Sequence, residues 1–338
     1  MRQAIMTAPG KIEFRDVPPP IRGPDDVLLR VRRIGVCGSD IHVYHGCHWY
    51  KGYPMIQGHE FSAVVEAAGE HVARIKPGAK VTAVPQVVCG QCLPCRRGDY
   101  HICDNLKVQG FHAPGCAQEL FVTRAEKIVP LPDTFTFEQG ALVEPTAVAV
   151  HAVGRGGRVA DRNAVVLGAG PIGNLVAQVA RARGARILIT DLNDYRLEIA
   201  QRCGLQSTSN ARDESLKDAS RRVFGDDGFD LAFECVGVEP TMTAGVASIA
   251  KGGTIVVVGV FPEKPRIDLA MIGDHELSLI GTLMYKYEDY QRAVELISSG
   301  QVITGPLESK HFPFRDYLSA YTYIERQKGE SMKVFIDL

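Results

Sequence analysis

The sequence predicts an α/β protein of two domains: a partly antiparallel β-barrel, then a doubly wound parallel sheet with helices on both faces. Three observations predict it. The chain has 338 residues, more than a single hydrophobic core normally serves. Its N-terminal third is rich in glycine, proline and β-branched residues in short alternating runs, the pattern of half-buried strands. Near residue 145 the texture changes to near-continuous apolar runs separated by helical patterns, the mark of a parallel sheet covered on both faces.

Taken in order, Pro18-Pro19-Pro20 is too short for a linker and reads as a rigid surface turn. Segments 27–32 and 61–66 alternate as barrel strands. Segments 164–167, 187–190, 229–233, 254–258 and 277–280 are the strands of the parallel sheet. The amphipathic segment 290–299 and the strand 333–336 read as a return to the first domain. The expected division is therefore 1–145 with 283–338 for the first domain and 146–282 for the second.

Four cysteines fall within fifteen residues: Cys89, Cys92, Cys95 and Cys103, of nine in the whole chain. The C-x2-C-x2-C spacing turns three sulfurs toward one point and Cys103 closes a tetrahedron, the geometry of zinc with four thiolates. Disulfides fit poorly, because cysteines three apart in a tight loop rarely pair. An iron–sulfur cluster is the alternative. A closed site of this kind holds a loop in shape and has no open position for chemistry.

Gly168-Ala-Gly170-Pro171-Ile172-Gly173 follows the strand 165–167 and opens an apolar helix through Ala182. In that context a G-x-G-x-x-G loop binds a dinucleotide. Gly168 makes the tight turn, Gly170 lets the backbone approach a pyrophosphate, and Gly173 lets helix and sheet pack closely. The helix N-terminus offers free N–H groups to the phosphates. Asp191 lies 23 residues after Gly168, at the end of the second strand. A carboxylate there accepts from ribose hydroxyls and repels a 2′-phosphate, so NAD is expected over NADP. A helix N-cap is the other reading of Asp191, and Arg196 lies within reach of the same region.

A second metal constellation is dispersed. Cys37, within Gly35-Val-Cys-Gly-Ser-Asp-Ile-His42, and His59-Glu60 lie in the first domain, with Glu144-Pro145 at its boundary. Alone, Cys37 reads as a small buried hydrophobe and His59 as a core histidine. Together, a cysteine, a histidine and a carboxylate suit a catalytic zinc with its fourth position open. One thiolate and one carboxylate neutralise Zn²⁺. Two zinc ions per chain are expected.

Composition bounds the class. A net charge of −1 argues against nucleic acid or an anionic membrane as partner. The N-terminal residues show no apolar signal-peptide core, and no apolar run approaches the roughly 18 residues of a membrane span. Isolated cysteines such as Cys203 and Cys235 suit a reducing cytoplasm.

With these motifs together, the chain resembles the zinc-dependent medium-chain alcohol dehydrogenases, nearest the sorbitol (polyol) dehydrogenase branch, over essentially its whole length. The resemblance implies a GroES-like catalytic domain around an inserted Rossmann domain. It implies that Cys37, His59 and Glu60 bind catalytic zinc, with Glu144 exchanging with Glu60 or holding a water. Asp40 is implied to orient His59. Ser39 and His42 resemble the family's proton relay, and an imidazole of ordinary pKa near 6.5 suits that role. For His42 the competing reading is a surface histidine. The implied reaction passes hydride from a secondary alcohol to NAD.

Tyr44, Trp49 and Phe111 fall where the family lines its substrate pocket, though each also suits simple packing. Tyr285 and Lys286 stand where polyol enzymes carry an Arg-Tyr pair. That departure puts a neutral polyol in question, since Lys286 could meet a carboxylate; a solvated lysine is the plain alternative. The substrate is expected to be a small polyhydroxylated compound, a sugar alcohol or a sugar acid, and not a simple alcohol. The exposed edge of strand 277–280 and the resemblance imply a homodimer or homotetramer. Two rivals share the architecture. A metal-free NADPH-dependent reductase of quinones or enones should lack the Cys37/His59/Glu60 set and the acid at Asp191. A non-catalytic structural or nucleotide-binding protein could lose its ligands and relay, which here are intact.

Overall fold

The computed structural model describes residues 1–47, 52–327 and 329–338. The chain opens with β1 (Arg2–Ala8), β2 (Lys11–Asp16) and β3 (Asp26–Gly35), and helix α1 (Gly38–Tyr44) follows β3 directly. Next come β4 (Glu60–Ala68), β5 (Lys80–Ala83), β6 (Gln86–Val87), α2 (Leu93–Arg96), β7 (Lys107–Val108), β8 (Leu120–Arg124), β9 (Ile128–Pro130) and α3 (Phe137–Ala141). Helix α4 (Val143–Arg155) precedes an alternation: β10 (Asn163–Leu167), α5 (Pro171–Ala182), β11 (Arg186–Asp191), α6 (Asp194–Arg202), β12 (Thr208–Asn210), α7 (Leu216–Phe224), β13 (Leu231–Glu234), α8 (Glu239–Ser248), β14 (Thr254–Val257), α9 (Leu269–Asp274) and β15 (Ser278–Gly281). Helix α10 (Tyr287–Ser298), β16 (Glu308–Pro313), α11 (Tyr317–Arg326) and β17 (Lys333–Asp337) come last.

These elements form two compact units. The first comprises Met1–Glu144, Lys286–Val294 and Glu308–Leu338, the second Pro145–Tyr285 and Glu295–Leu307. The sequence assigns all of 283–338 to the first domain, and the structure divides that stretch. Ile303 shows why. Its N–H donates to Gln178 Oε1 at 2.7 Å, and its carbonyl accepts from Gln178 Nε2 at 3.1 Å and from the Cys203 thiol at 3.6 Å. Those bonds hold residues 295–307 to helix α5 and its neighbour α6.

In the first unit a seven-stranded sheet runs β16-β17-β3-β4-β5-β9, with β8 also paired to β3. Its strands bury the alternate residues Val27, Leu29 and Val31 of β3, and Ala63 and Val65 of β4, in one apolar core with Phe121 and Ile336. Alternation of this kind is what a sheet with one buried face requires. The register brings three strands together at one point: Gly35 of β3 lies opposite Glu60 on β4 and opposite Phe335 on β17. A Cβ on residue 35 would stand 2.6 Å from Glu60 Oε2, so any side chain there would displace the Glu60 carboxylate.

In the second unit six parallel strands run β12-β11-β10-β13-β14-β15. The order reverses at β10, the point where open α/β sheets bind ligands beyond the carboxyl ends of their strands. Residues 164–167 of β10 and 231–233 of β13 are buried throughout, which explains their apolar reading. Strand β12 carries no such signal, because its Thr-Ser-Asn sequence buries only Ser209. Among the described residues no helix is long and apolar enough to cross a membrane.

Candidate active site and metal centres

The sheet register of the first unit assembles a polar cluster at the end of β3. Cys37 stands two residues beyond Gly35, at the N-cap of α1, and His59 and Glu60 lead into β4. Cys37, His59 and Glu60 each offer one ligand atom, and these atoms lie within 4.8 Å of one another. Asp40 is buried; its Oδ2 accepts from the Cys37 N–H at 3.0 Å, and its Oδ1 stands 3.6 Å from His59 Nδ1. His59 Nδ1 and Asp40 Oδ1 are buried and have no hydrogen-bond partner. Burial raises the Asp40 carboxyl pKa, against the pull of His59. For His59 burial works against the charged ring, but Asp40, Cys37 and Glu144 outweigh it and raise its pKa well above the usual histidine value. A thiol, an imidazole and carboxylates crowded out of water form a cavity for a cation, and the mixed S, N, O donor set is the one zinc takes in catalytic sites.

Glu144 is buried and acts electrostatically on His59, while Glu60 is the carboxylate grouped with Cys37 and His59. Glu60 has a further partner that composition and spacing did not reveal. Lys333 is 3 % exposed, and its ammonium donates to Glu60 Oε1 at 2.5 Å, to Glu60 Oε2, and to the Val36 carbonyl at 3.5 Å. Burial alone would lower its pKa, but the charges of Glu60, Cys37 and Glu144 and the hydrogen bond to Glu60 together outweigh that and raise it. The available signal was a lysine at the head of an otherwise apolar strand, Lys333-Val-Phe-Ile336.

The expected relay residues take different places. Ser39 Oγ donates to Cys37 Sγ at 3.1 Å. His42 is exposed on α1, and no hydrogen bond joins it to Ser39. Behind α1 a buried chain runs from Tyr321 OH, donating to Gln57 Oε1 at 2.8 Å, to Gln57 Nε2, donating to the Asp40 carbonyl at 3.2 Å. This chain fixes the turn that carries Asp40, and neither residue stood out in the sequence.

Of the substrate residues, Tyr44 packs its ring 5.3 Å from that of Tyr321, a core contact. Phe111 stands 4.9 Å from the His59 ring. Trp49 lies outside the described residues. Lys286 corrects an expectation: its Nζ donates to Asp99 at 2.9 Å, so its charge is already matched within the cysteine lobe. The adjacent Tyr287 N–H donates to Tyr100 OH at 2.7 Å.

In that lobe Cys89, Cys92, Cys95 and Cys103 again bring four ligand atoms within 4.8 Å of one another. The sulfurs of Cys103 and Cys89 are 3.5 Å apart and those of Cys92 and Cys103 3.8 Å, far beyond a disulfide bond of about 2.05 Å. Backbone N–H groups point at the sulfurs: Cys92 at Cys89, and Cys89 and Asn105 at Cys103. Backbone donors from Gln91 and Cys92 lower the Cys89 pKa to about 6, whereas loss of water and the neighbouring thiols push Cys95 up to about 12. Four thiols in one shell cannot all ionise without a cation, and a metal bound by all four removes the conflict.

In the second unit Gly168 has φ +99°, and the Ala169 N–H donates to Asp191 Oδ2 at 2.7 Å. A Cβ on Gly173 would lie 1.9 Å from the Gly168 carbonyl oxygen, which leaves glycine as the residue that lets α5 start against the loop. Gly170 is the N-cap of α5, with Pro171 at the first helical position and Ile172 following. Asp191 is not a helix N-cap: Asn193 caps α6, and its own N–H donates to Asp191 Oδ1 at 3.0 Å. Arg196 Nη1 stands 3.6 Å from Asp191 Oδ2. The carboxylate therefore sits at the carboxyl end of β11, beside the glycine loop, where a nucleotide ribose is met in this fold.

Two family models match the chain, the alcohol dehydrogenase GroES-like domain over residues 23–133 and the zinc-binding dehydrogenase over residues 171–299. A 2-dehydro-3-deoxy-L-galactonate 5-dehydrogenase of Pseudoalteromonas atlantica is 38% identical over 92% of this chain and 91% of its own. The chain belongs to the zinc-binding alcohol dehydrogenase family. Other members of the family similar to it include an L-threonine 3-dehydrogenase of Legionella pneumophila, 32% identical over 96% of both chains. A D-xylulose reductase of Saccharomyces cerevisiae is 32% identical over 98% of this chain and 96% of its own. Among solved structures, a zinc-binding dehydrogenase of Sinorhizobium meliloti bound to NADP has a TM-score of 0.91 at 28% identity, covering 100% of this chain and 99% of that one. An alcohol dehydrogenase of Escherichia coli CFT073 complexed with NADH has a TM-score of 0.92 at 26% identity, with the same coverage. The family works with zinc and a nicotinamide cofactor, and the two metal-ready clusters and the glycine loop of this chain suit both.

Proposed function

We propose that this protein is a zinc- and NAD-dependent dehydrogenase that oxidises a secondary hydroxyl of a sugar acid or a related polyol. The convergence of Cys37, His59 and Glu60, buried beside the unpartnered atoms of Asp40 and His59, carries the reading. Cys37 and His59 would hold the catalytic zinc together with Glu60 or Glu144, and Cys89, Cys92, Cys95 and Cys103 a second, structural zinc. Zinc in such a donor set supplies Lewis acidity toward an alcohol oxygen, and the nicotinamide supplies the hydride acceptor. Asp40 keeps the His59 ring in its orientation, and Lys333 balances the charge of Glu60. Ser39 Oγ takes the hydroxyl proton, and His42 delivers it to solvent. Because Ser39 and His42 are not directly bonded, an intervening hydroxyl or water must complete that path.

Gly168, Gly170 and Gly173 cradle the pyrophosphate, and Asp191 accepts from the adenosine ribose. Asp191 favours NAD, since a 2′-phosphate facing it meets like charge, and Arg196 already stands against that carboxylate. The sugar-acid substrate is supported by the relative named for a 2-dehydro-3-deoxy-L-galactonate, and the polyol by the xylulose reductase. A homodimer or homotetramer through the edge of β15 and a cytoplasmic location complete the reading; the nine free cysteines suit a reducing compartment.

Metal analysis with a coupled assay tests the proposal. The expected result is close to two zinc ions per chain and NAD-linked oxidation of L-galactonate or sorbitol, with ethanol poor. Cys37→Ala should abolish turnover with one zinc retained. Asp191→Ala should weaken NAD use and narrow the gap to NADP. A fully active Cys37→Ala enzyme, or a native preference for NADP, would overturn the corresponding assignment. Light scattering at micromolar concentration checks the assembly, and a monomer would refute that part.

A further inference from the structure

The first unit contains a cavity of about 710 Å³ lined by Ile5, Tyr53, Met55, Lys107, Phe111 and His112, among others. It lies one side chain from the metal cluster, because the Phe111 ring on its wall stands 4.9 Å from that of His59. No carboxylate occurs in its described lining. Lys107, on β7, is exposed and forms no ion pair with any described residue. Lys286, by contrast, is paired to Asp99. His112 adds no positive charge: its Nδ1 accepts from the Val108 N–H at 3.0 Å, and burial and the charge of Lys107 lower its pKa. Lys107 is therefore the one cation on the described wall of an otherwise largely apolar cavity. An unmatched ammonium there stabilises an anion more than it would in open water.

We propose that this cavity receives the end of the substrate remote from the reacting carbinol, and that Lys107 pairs with a carboxylate there. The inference rests on the reading of the chain as a zinc-dependent dehydrogenase and narrows its substrate class to a sugar acid. The apolar wall accepts the carbon face of the substrate, while Lys107 reads the one group that separates an aldonate from the matching alditol. Sodium chloride should weaken the contact, since the lysine is exposed.

The test compares L-galactonate with galactitol, which differ in that carboxylate, on the zinc-loaded full chain with NAD. The reading is the ratio of kcat/KM for the two, together with calorimetric titration of each. Lys107→Met should lower the galactonate-to-galactitol ratio roughly two- to fivefold, the range of an exposed ion pair. Lys107→Arg, which keeps the cation, should leave the ratio close to wild type. A ratio unchanged in Lys107→Met, with galactonate still turned over, would overturn the subsite and leave the dehydrogenase reading intact. Collapse of the ratio in Lys286→Met instead would do the same. Galactonate binding that is lost in Lys107→Met, without turnover by any form, would support the subsite and overturn the reaction. Neither binding nor turnover of galactonate by the wild-type chain would overturn both.

Discussion

Replacing Lys333 by methionine isolates the electrostatics of the metal cluster. Lys333 and Glu60 are 3 % and 1 % exposed, so the variant leaves a carboxylate buried beside an apolar side chain. Removing one partner of a buried ion pair costs about 3–5 kcal/mol. In a domain of this size class each kcal/mol moves Tm by about 2–4 °C, so the metal-stripped variant should melt roughly 6–20 °C below metal-stripped wild type. Zinc changes the comparison. Glu60 freed from Lys333 can approach the cation fully, so zinc should raise Tm more in the variant than in wild type. Differential scanning calorimetry of chelator-treated and zinc-loaded forms reads both effects. Lys333→Met combined with Glu60→Gln removes both charges and should melt above the single variant. The pH dependence has a defined sign. The Lys333 pKa lies above the ordinary 10.5 in the folded chain, so its stabilisation is fully present below that value and fades only as pH rises through the folded value. The Tm difference should therefore persist across the neutral range. A metal-stripped variant melting within about 2 °C of wild type, less than 1 kcal/mol on this scale, would refute the reasoning.

In zinc-stripped protein, Cys89 should react with iodoacetamide first among the lobe cysteines, with a midpoint near pH 6 set by its lowered pKa of about 6, while Cys95 resists; peptide mass mapping shows the order, and zinc should protect all four. Gly173→Ala should cost about 1–3 kcal/mol by overpacking against the Gly168 carbonyl, measured as a lower Tm and a smaller Tm rise with NADH. Gln57→Leu and Tyr321→Phe should each destabilise by about 1–3 kcal/mol by leaving a buried partner unsatisfied, and the double variant should cost less than their sum in urea unfolding.

The parts of this protein legible in its sequence are those whose physics is local. Residues 164–167 of β10 and 231–233 of β13 are buried on both faces and read as apolar runs, and the glycine loop announces itself because Gly173 tolerates no side chain. The four cysteines lie within one loop, so their spacing alone brings them together. Lys333 was illegible because its partner is 273 residues away and only the register of β4, β3 and β17 joins them. Lys286 misled for a similar reason: Asp99, 187 residues earlier, neutralises it, and no local pattern shows that pairing. Gln57 and Tyr321 looked like ordinary interior residues, since a buried amide and phenol acquire a role only from what they bond. Tyr44 sits where a pocket residue was expected, and packing against Tyr321 accounts for it.

The pairing of Gly35 with both Glu60 and Phe335 has a consequence for how the protein is made. Residues 37 and 60 leave the ribosome early, but residue 333 is synthesised only after the whole nucleotide-binding sheet. Chains emerge and fold N-terminal parts first, so until residue 333 emerges Glu60 lacks its lysine and β3 lacks its neighbour β17. The nascent first unit must remain open, or hydrated at that edge, until residue 333 has emerged. A chain arrested before Lys333 then carries an uncompensated carboxylate in its interior and an unpaired strand beside it. Such a product carries the state that makes a broken buried ion pair strongly destabilising, a charge left in the interior without its partner.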